Sequence, residues 1–225
     1  QSNAGFEQLH ALVQQYGAEN IRVNIERSDG LLVDWMLEHG WAVYVTPAMV
    51  VAHRRPRRSK SDPSDAYLLA YLLYVGDPDA RFLTRSSAPV LYLRELARAL
   101  DNTLADQRRL ANRLSYLLYQ YFPAATRLFA HVESLVCLAF LEAYSTPQAA
   151  RALTRTQLRQ FLKQQKYTFL SRTDAIYAHL QQPMPTTSFC DGYVAQVQIL
   201  IPQLRQLHHT RVRLEREVPA AFRGH

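Results

Sequence analysis

The chain predicts an α/β segment followed by an all-α region, and three observations carry that expectation. Two short runs rich in Val and Ile, Ile21 to Ile25 and Trp41 to Val45, flank a stretch with helical periodicity. Leucines recur at heptad spacing from Pro89 to Phe122, and no convincing strand pattern follows Gly76. The helix between the two strands further predicts parallel pairing through a right-handed crossover.

In chain order, Gly5 to Tyr16 carries Phe6, Leu9, Leu12 and Val13 at helical spacing. The first strand ends on Glu26, just before the turn signal Ser28-Asp29-Gly30. Leu31 to His39 reads as a helix closed by Gly40. After the second strand and Thr46-Pro47 comes a run with five cations, Arg54, Arg55, Arg57, Arg58 and Lys60. Lys60 to Ala70, Lys-Ser-Asp-Pro-Ser-Asp-Ala-Tyr-Leu-Leu-Ala, opens the next helix. Proline favours the first helical position, so Asp62 reads as the N-cap and Asp65 as the third helical residue. Asp77-Pro78-Asp79 and Ser86-Ser87-Ala88-Pro89 then punctuate the chain, giving a linker over 77–88 between an α/β domain, 5–76, and a helical region, 89–225.

The helical region predicts a coiled-coil seam. One column holds Leu93, Leu100, Gln107, Leu114 and Tyr121, the other Leu96, Thr103, Leu110 and Leu117, with Arg94, Arg98, Arg108, Arg109 and Arg113 off it. A last helix, Thr187 to Val218, offers Val194, Val197, Ile201, Leu204 and His208, with a kink expected at Pro202. The two long helices can pair antiparallel within one chain or across a dimer. Between them, Leu128 to Ala143, Pro147 to Leu153, Arg155 to Gln164 and Arg172 to Leu180 read as shorter helices, with cap signals at Thr146, Thr154 and Ser171. Tyr116, Tyr119 and Tyr121 are expected in the core or seam rather than as a base-stacking platform.

Composition narrows the function classes. Twenty-six Lys and Arg against nineteen acids give a net charge of +7, a balance that favours a polyanionic partner. Cys137 and Cys190, the two cysteines, argue against a disulfide framework or zinc site and fit a reducing, cytoplasmic setting. No apolar run reaches the length of a membrane span. His208-His209 is the one adjacent histidine pair, and neighbours at i and i+1 diverge around a helix, so it reads as surface or seam.

Asp62 and Asp65, three residues apart at a helix start, share a face, and Glu26 at a strand end can join them. Oxygen ligands of this kind suit a hard cation such as Mg²⁺, which can clamp the oxygens of a phosphoryl displacement. The same acids also stabilise a helix start through its orphan N–H groups and macrodipole with no metal at all. The neighbouring cations are either phosphate-binding groups or a solvated loop.

The order of a strand ending in Glu26, a helix, a strand, Thr46-Pro47, a basic stretch and Lys60-Ser61-Asp62-x-x-Asp65-Ala66 resembles the N-terminal domain of DEDD transposases of the insertion sequence 110 type, a family that includes the Piv/MooV invertases. The resemblance implies a ribonuclease-H-like, RuvC-like fold, truncated here, with Glu26, Asp62 and Asp65 as catalytic and metal-binding acids. Where the family glutamate is followed by Ala-Thr-Gly, this chain has Arg27-Ser28-Asp29-Gly30. The family's first aspartate has no counterpart. Gln1-Ser2-Asn3-Ala4 reads as an expression scar, so the chain is expected to be a fragment lacking both the strand that bears that aspartate and the C-terminal serine domain, and therefore inactive. For the intact protein the resemblance implies DNA cleavage and strand transfer with Mg²⁺ or Mn²⁺, a guide RNA, and a homo-oligomer in the bacterial cytoplasm at the nucleoid. Arg54, Arg55, Arg57, Arg58 and Lys60 are expected to hold phosphates. The alternatives are a RuvC-like nuclease on branched DNA and a non-catalytic basic coiled-coil module.

Overall fold

In the computed structural model, which describes residues 3–55, 61–183 and 190–223, two compact units divide the chain between Ser87 and Ala88. The first begins with α1 (Asn3–Tyr16), followed by β1 (Arg22–Ile25), α2 (Leu31–Glu38) and β2 (Ala42–Val45). Then come α3 (Ala48–Arg54), α4 (Asp62–Tyr74) and β3 (Arg81–Phe82). Gly40 ends α2 at a φ of +78°, a left-handed conformation that glycine adopts without steric cost. β1 and β2 pair in parallel, with Arg22 opposite Ala42 and Ile25 opposite Val45. The pairing and the intervening helix follow the sequence expectation.

Two elements do not. β3 adds an antiparallel edge, Tyr44 opposite Phe82, where no strand was expected. Its two residues are exposed and too few for any alternation to register; Tyr44 and Phe82 rings meet edge-on at 5.3 Å. α3 forms directly after Pro47, in a stretch that reads only as a lead into the basic run.

The core of this unit is small. Met36, Trp41 and Val43 are buried, with Leu9, Val13, Ile21 and Trp35 packed against them. α1 meets α2 through aromatic rings: Phe6 and His10 lie 5.6 and 4.9 Å from Trp35, which itself stacks on His39 at the end of α2 at 4.0 Å.

The second unit is helical throughout: α5 (Ala88–Tyr121), α6 (Ala125–Leu128), α7 (Leu135–Ala143), α8 (Pro147–Arg151), α9 (Arg155–Gln164), α10 (Thr173–Leu180) and α11 (Asp191–Arg223). α5 and α11 pair antiparallel within the chain, which decides between the two pairings left open above. Gln107 contacts Arg211 at 3.4 Å, whereas further along α5 Tyr121 stacks on Tyr193 with the rings 4° from parallel. The buried face of α5 is Thr103, Gln107, Ala111, Leu114, Leu117, Leu118 and Tyr121. Ala111 and Leu118 thus widen the predicted two-column seam, as a helix in a globular core requires.

Tyr116 and Tyr119 are 63 % and 59 % exposed, against the expectation that they pack inside. Each lies two residues from a buried leucine, which at 100° per residue turns it to the opposite face. Tyr121 is buried, and burial pushes its phenol above the ordinary range. α11 contributes Val197, Leu200, Ile201, Leu204 and Leu214, and its helical assignment continues through Pro202 and Pro219 to Arg223, past the expected end at Val218. Its expected start at Thr187 lies outside the described residues.

α7 buries five consecutive residues, Cys137, Leu138, Ala139, Phe140 and Leu141, more than a full turn, which makes it the central element, while Glu142 near its end stays exposed and pairs with Arg205. Burial pushes the Cys137 thiol up to about 12. The single helix expected over 128–143 is two, because the chain turns at 129–134, where Ser134 Oγ donates to the His131 carbonyl at 2.7 Å. Thr146 and Thr154 cap as expected. Thr154 and Gln157 form a reciprocal capping box, with bonds of 2.8 and 3.3 Å. Ser171 does not cap, since Leu170–Arg172 is a 3-10 turn and α10 follows it directly. Among the described residues no helix is long and apolar enough to cross a membrane.

Candidate functional site

The start of α4 is built by serine rather than by aspartate. Ser61 is extended (φ −142°, ψ 146°), and its hydroxyl accepts the Ser64 N–H at 3.4 Å, which makes Ser61 the N-cap. Asp62 is then the first helical residue and Asp65 the fourth, one step later than the sequence expectation. Pro63 is tolerated at the second position because first-turn N–H groups have no helical acceptor. Both acids remain in the first turn, where the macrodipole favours negative charge. Asp62 is exposed and Asp65 half-buried.

Asp65 already has a cation. Arg55, the residue that ends α3, donates from Nε to Oδ1 at 2.7 Å and from Nη2 to Oδ2 at 2.5 Å. The two side chains retain only 22 % and 19 % of their exposure. Arg54 turns elsewhere: it pairs with Asp77 and, at 2.9 Å, with Asp79, whose backbone N–H is in turn held by Asp77 Oδ1. Both described arginines of the basic run are therefore committed to carboxylates. Arg57, Arg58 and Lys60 lie outside the described residues.

Glu26 stands one residue past β1 and is half-buried. The link between β1 and α4 is Asn24, whose amide N–H₂ donates to Thr46 Oγ1 and to the Leu69 carbonyl, each at 2.9 Å. Thr46, fully buried at the end of β2, donates back to Asn24 Oδ1 at 3.1 Å. This network ties both strands to α4, leaving Glu26 two residues beyond the tie and Asp65 one turn before it. Sequence reading missed it; the available signal was a lone amide between Val23 and Ile25, a polar residue at the buried position of the strand. An open groove of about 560 Å³ runs along Arg22 to Asn24 and Ala66 to Tyr74.

As placed, these acids do not make a metal centre. Among the described residues no group of three or more His, Cys, Asp or Glu side chains could hold an ion, and the carboxylate of Asp65 is engaged on both oxygens. In the helical unit, His208 and His209 meet edge-on at 6.1 Å. Partial burial, Arg211 and His209 together lower the pKa of His208, with Glu215 opposing.

Residues 1–123 match the family model of DEDD transposases of the IS110 type, described as "Transposase". The "Mini-circle putative transposase for IS117" of Streptomyces coelicolor is 30 % identical over 242 residues, an alignment covering 99 % of this chain and 57 % of that protein. "Putative transposase y4uE" of Sinorhizobium fredii is 28 % identical over 152 residues, covering 66 % of this chain and 42 % of its own length. The chain thus spans about half the length of the curated relatives it matches.

Proposed function

The chain belongs to the IS110-type DEDD transposase family, and from that premise we propose that it is part of a recombinase that cleaves and rejoins DNA at the ends of an insertion sequence. One observation carries the reading at residue level: two carboxylates, Asp62 and Asp65, stand three positions apart in the first turn of α4, inside the stretch that matches the family. Glu26 is the third acid, and the active form uses Mg²⁺ or Mn²⁺ with these acids in an arrangement different from the one described above. A guide RNA and a homo-oligomer belong to the same proposal. Because α5 and α11 already satisfy each other within one chain, assembly uses other surfaces.

The test is Mn²⁺ binding by the purified chain, with Asp62→Asn, Asp65→Asn and, as a control in the helical unit, Asp174→Asn. Loss in the first two and retention in the third is expected. Equal binding by all four proteins overturns the assignment of the aspartate pair. For the basic run, replacing Arg54, Arg55, Arg57 and Arg58 with alanine is expected to weaken DNA binding alike for all sequences. Each lost phosphate contact removes roughly 0.7 to 0.9 from the log–log salt slope. An unchanged slope returns the run to a structural role.

A second reading has its own observation. The α5–α11 hairpin carries Arg94, Arg98, Arg108, Arg109 and Arg113 off its buried face, the form of a basic helical module that binds nucleic acid without catalysis. It predicts that residues 88–225 alone retain the full DNA affinity of the chain.

A further inference from the structure

A cleft of about 400 Å³ opens in the helical unit where α5, α6, α11 and the 129–134 turn meet. Its volume lies in the range of about 300 to 1,000 Å³ that small-molecule sites occupy, but polar side chains predominate in its lining. The turn that walls it is held from behind: the Phe129 ring lies 6.0 Å from Phe140 and 5.6 Å from Tyr167, and Ser134 Oγ donates to the His131 carbonyl at 2.7 Å. The cleft is therefore preformed, which lowers the cost of ordering a ligand in it.

Three groups that line the cleft lack the partner their chemistry requires. Gln107 is only 6 % exposed; its Oε1 accepts from Arg211 at 3.4 Å, while its N–H₂ has no acceptor among the described residues. Glu133 is half-buried and has no hydrogen bond or ion pair among the described residues. Arg94 and Arg98 pair with Glu95 and Arg109 pairs with Asp106, whereas Arg108 has no carboxylate partner among the described residues. Leaving a buried donor and a half-buried charge unpaired costs free energy, so such groups gathered in one cleft mark a place where a ligand completes them. The Ser115 and Thr126 hydroxyls spend their hydrogens on the Ala111 and Pro123 carbonyls at 3.0 and 2.8 Å, so they offer the cleft lone pairs only.

The ligand must carry donors for Glu133, an acceptor for Gln107 and an anionic group for Arg108. A free phosphate fails on the first count. A nucleotide meets all three, and the four bases differ in how well they do so. An ionised carboxylate has two acceptor oxygens, and guanine alone offers two adjacent donors, N1–H and N2–H₂, beside the O6 acceptor on its Watson–Crick edge. That edge is free only when the base is unpaired. We propose that this cleft binds one unpaired guanine nucleotide: Glu133 accepts from N1–H and N2–H₂, Gln107 donates to O6, and Arg108 holds the attached phosphate. The inference rests on nucleic acid being the partner of the chain and is independent of the aspartates of α4.

The test is fluorescence anisotropy of labelled single-stranded hexanucleotides with the full chain in the presence of a chelator. One RNA strand carries a single guanine among uracils, one carries uracil only, one replaces the guanine by inosine, which lacks the N2 amino group, and two replace it by adenine or cytosine. A DNA series repeats them with thymine as the background. Guanine is expected to tighten binding by roughly five- to a hundredfold over the background strand, the worth of one bidentate base contact, with inosine between. Glu133→Gln is expected to abolish that preference, and Arg108→Ala to weaken all strands by one factor. The preference in either the RNA or the DNA series supports the site and tells which strand supplies the base. The inosine comparison needs no variant and decides the matter if Glu133→Gln does not fold: inosine bound as tightly as guanine overturns the contact to N2–H₂. A guanine preference that survives in folded Glu133→Gln overturns the placement in this cleft, and a preference for adenine or cytosine overturns the choice of base. Equal binding of all strands overturns the site and leaves the nucleic-acid reading intact, whereas no binding of any strand overturns both.

Discussion

The two units of this chain stabilise themselves in different ways. The helical unit surrounds α7 with a continuous apolar core, in which Leu114, Leu118, Leu138, Phe140, Leu162, Leu200 and Leu204 are fully buried or nearly so. The α/β unit buries Met36, Trp41 and Val43 as one small cluster and relies on directional contacts: Asn24 with Thr46 and Leu69, Arg55 with Asp65, Arg54 with Asp77 and Asp79. Apolar burial is non-directional and adds with area, whereas polar ties hold a geometry and contribute little net energy. The proposed acids therefore lie in the lightly packed unit, where ion pairs and an amide network rather than a large apolar core hold the geometry.

That contrast predicts two unfolding transitions in urea, with the α/β unit melting first. The largest test removes the centre of the stable unit. Phe140→Ala is expected to cost about 3–5 kcal/mol and to move only the second transition, read by helical circular dichroism; equal movement of both transitions would break the comparison. Asn24→Ala leaves the buried Thr46 hydroxyl short of its partner and should cost about 1–3 kcal/mol. Hydrogen exchange is expected to rise across β1, β2 and the middle of α4 and nowhere in α5 to α11.

Thr154→Ala deletes one half of the capping box and should cost about 1 kcal/mol in the helical unit alone. His208 gives the smallest effect. Its native pKa is lowered, so the unfolded chain binds more protons, and stability falls as pH drops from neutral through the ordinary histidine value toward the lowered one. His208→Gln is expected to flatten that part of the pH–stability curve of the second transition only, with no change at pH 8.

The same contrast explains what could be read in advance. β1, α2 and β2 were legible because turn signals bracket Val-rich runs, and α5 because its leucines repeat over five turns and more. β3 was not, since two exposed residues have no period, nor was α3, whose seven residues sit between Pro47 and a charge run. The acids were legible as a pair, but their cap was displaced by one residue because serine and aspartate compete for the N-cap on nearly equal terms. Arg55 with Asp65, and Asn24 with Leu69, join residues ten and forty-five apart. No local pattern encodes such pairs; they exist only once helices and strands have docked.

One polar residue in the α5–α11 seam acts as an index mark. Leucines repeating every seven residues look alike to a partner helix, so a slide by one heptad, about 10 Å, would still bury apolar surface. Gln107 is buried at 6 % exposure, and Arg211, which reaches it across the seam, is also tied to Glu215 at 3.4 Å. In the slipped alignment the amide would face hydrocarbon and the guanidinium would lose it, while Tyr121 would part from Tyr193. The hairpin therefore favours one setting, and a pair of helices more than thirty residues long is held in register by an amide near the middle and a tyrosine stack toward one end.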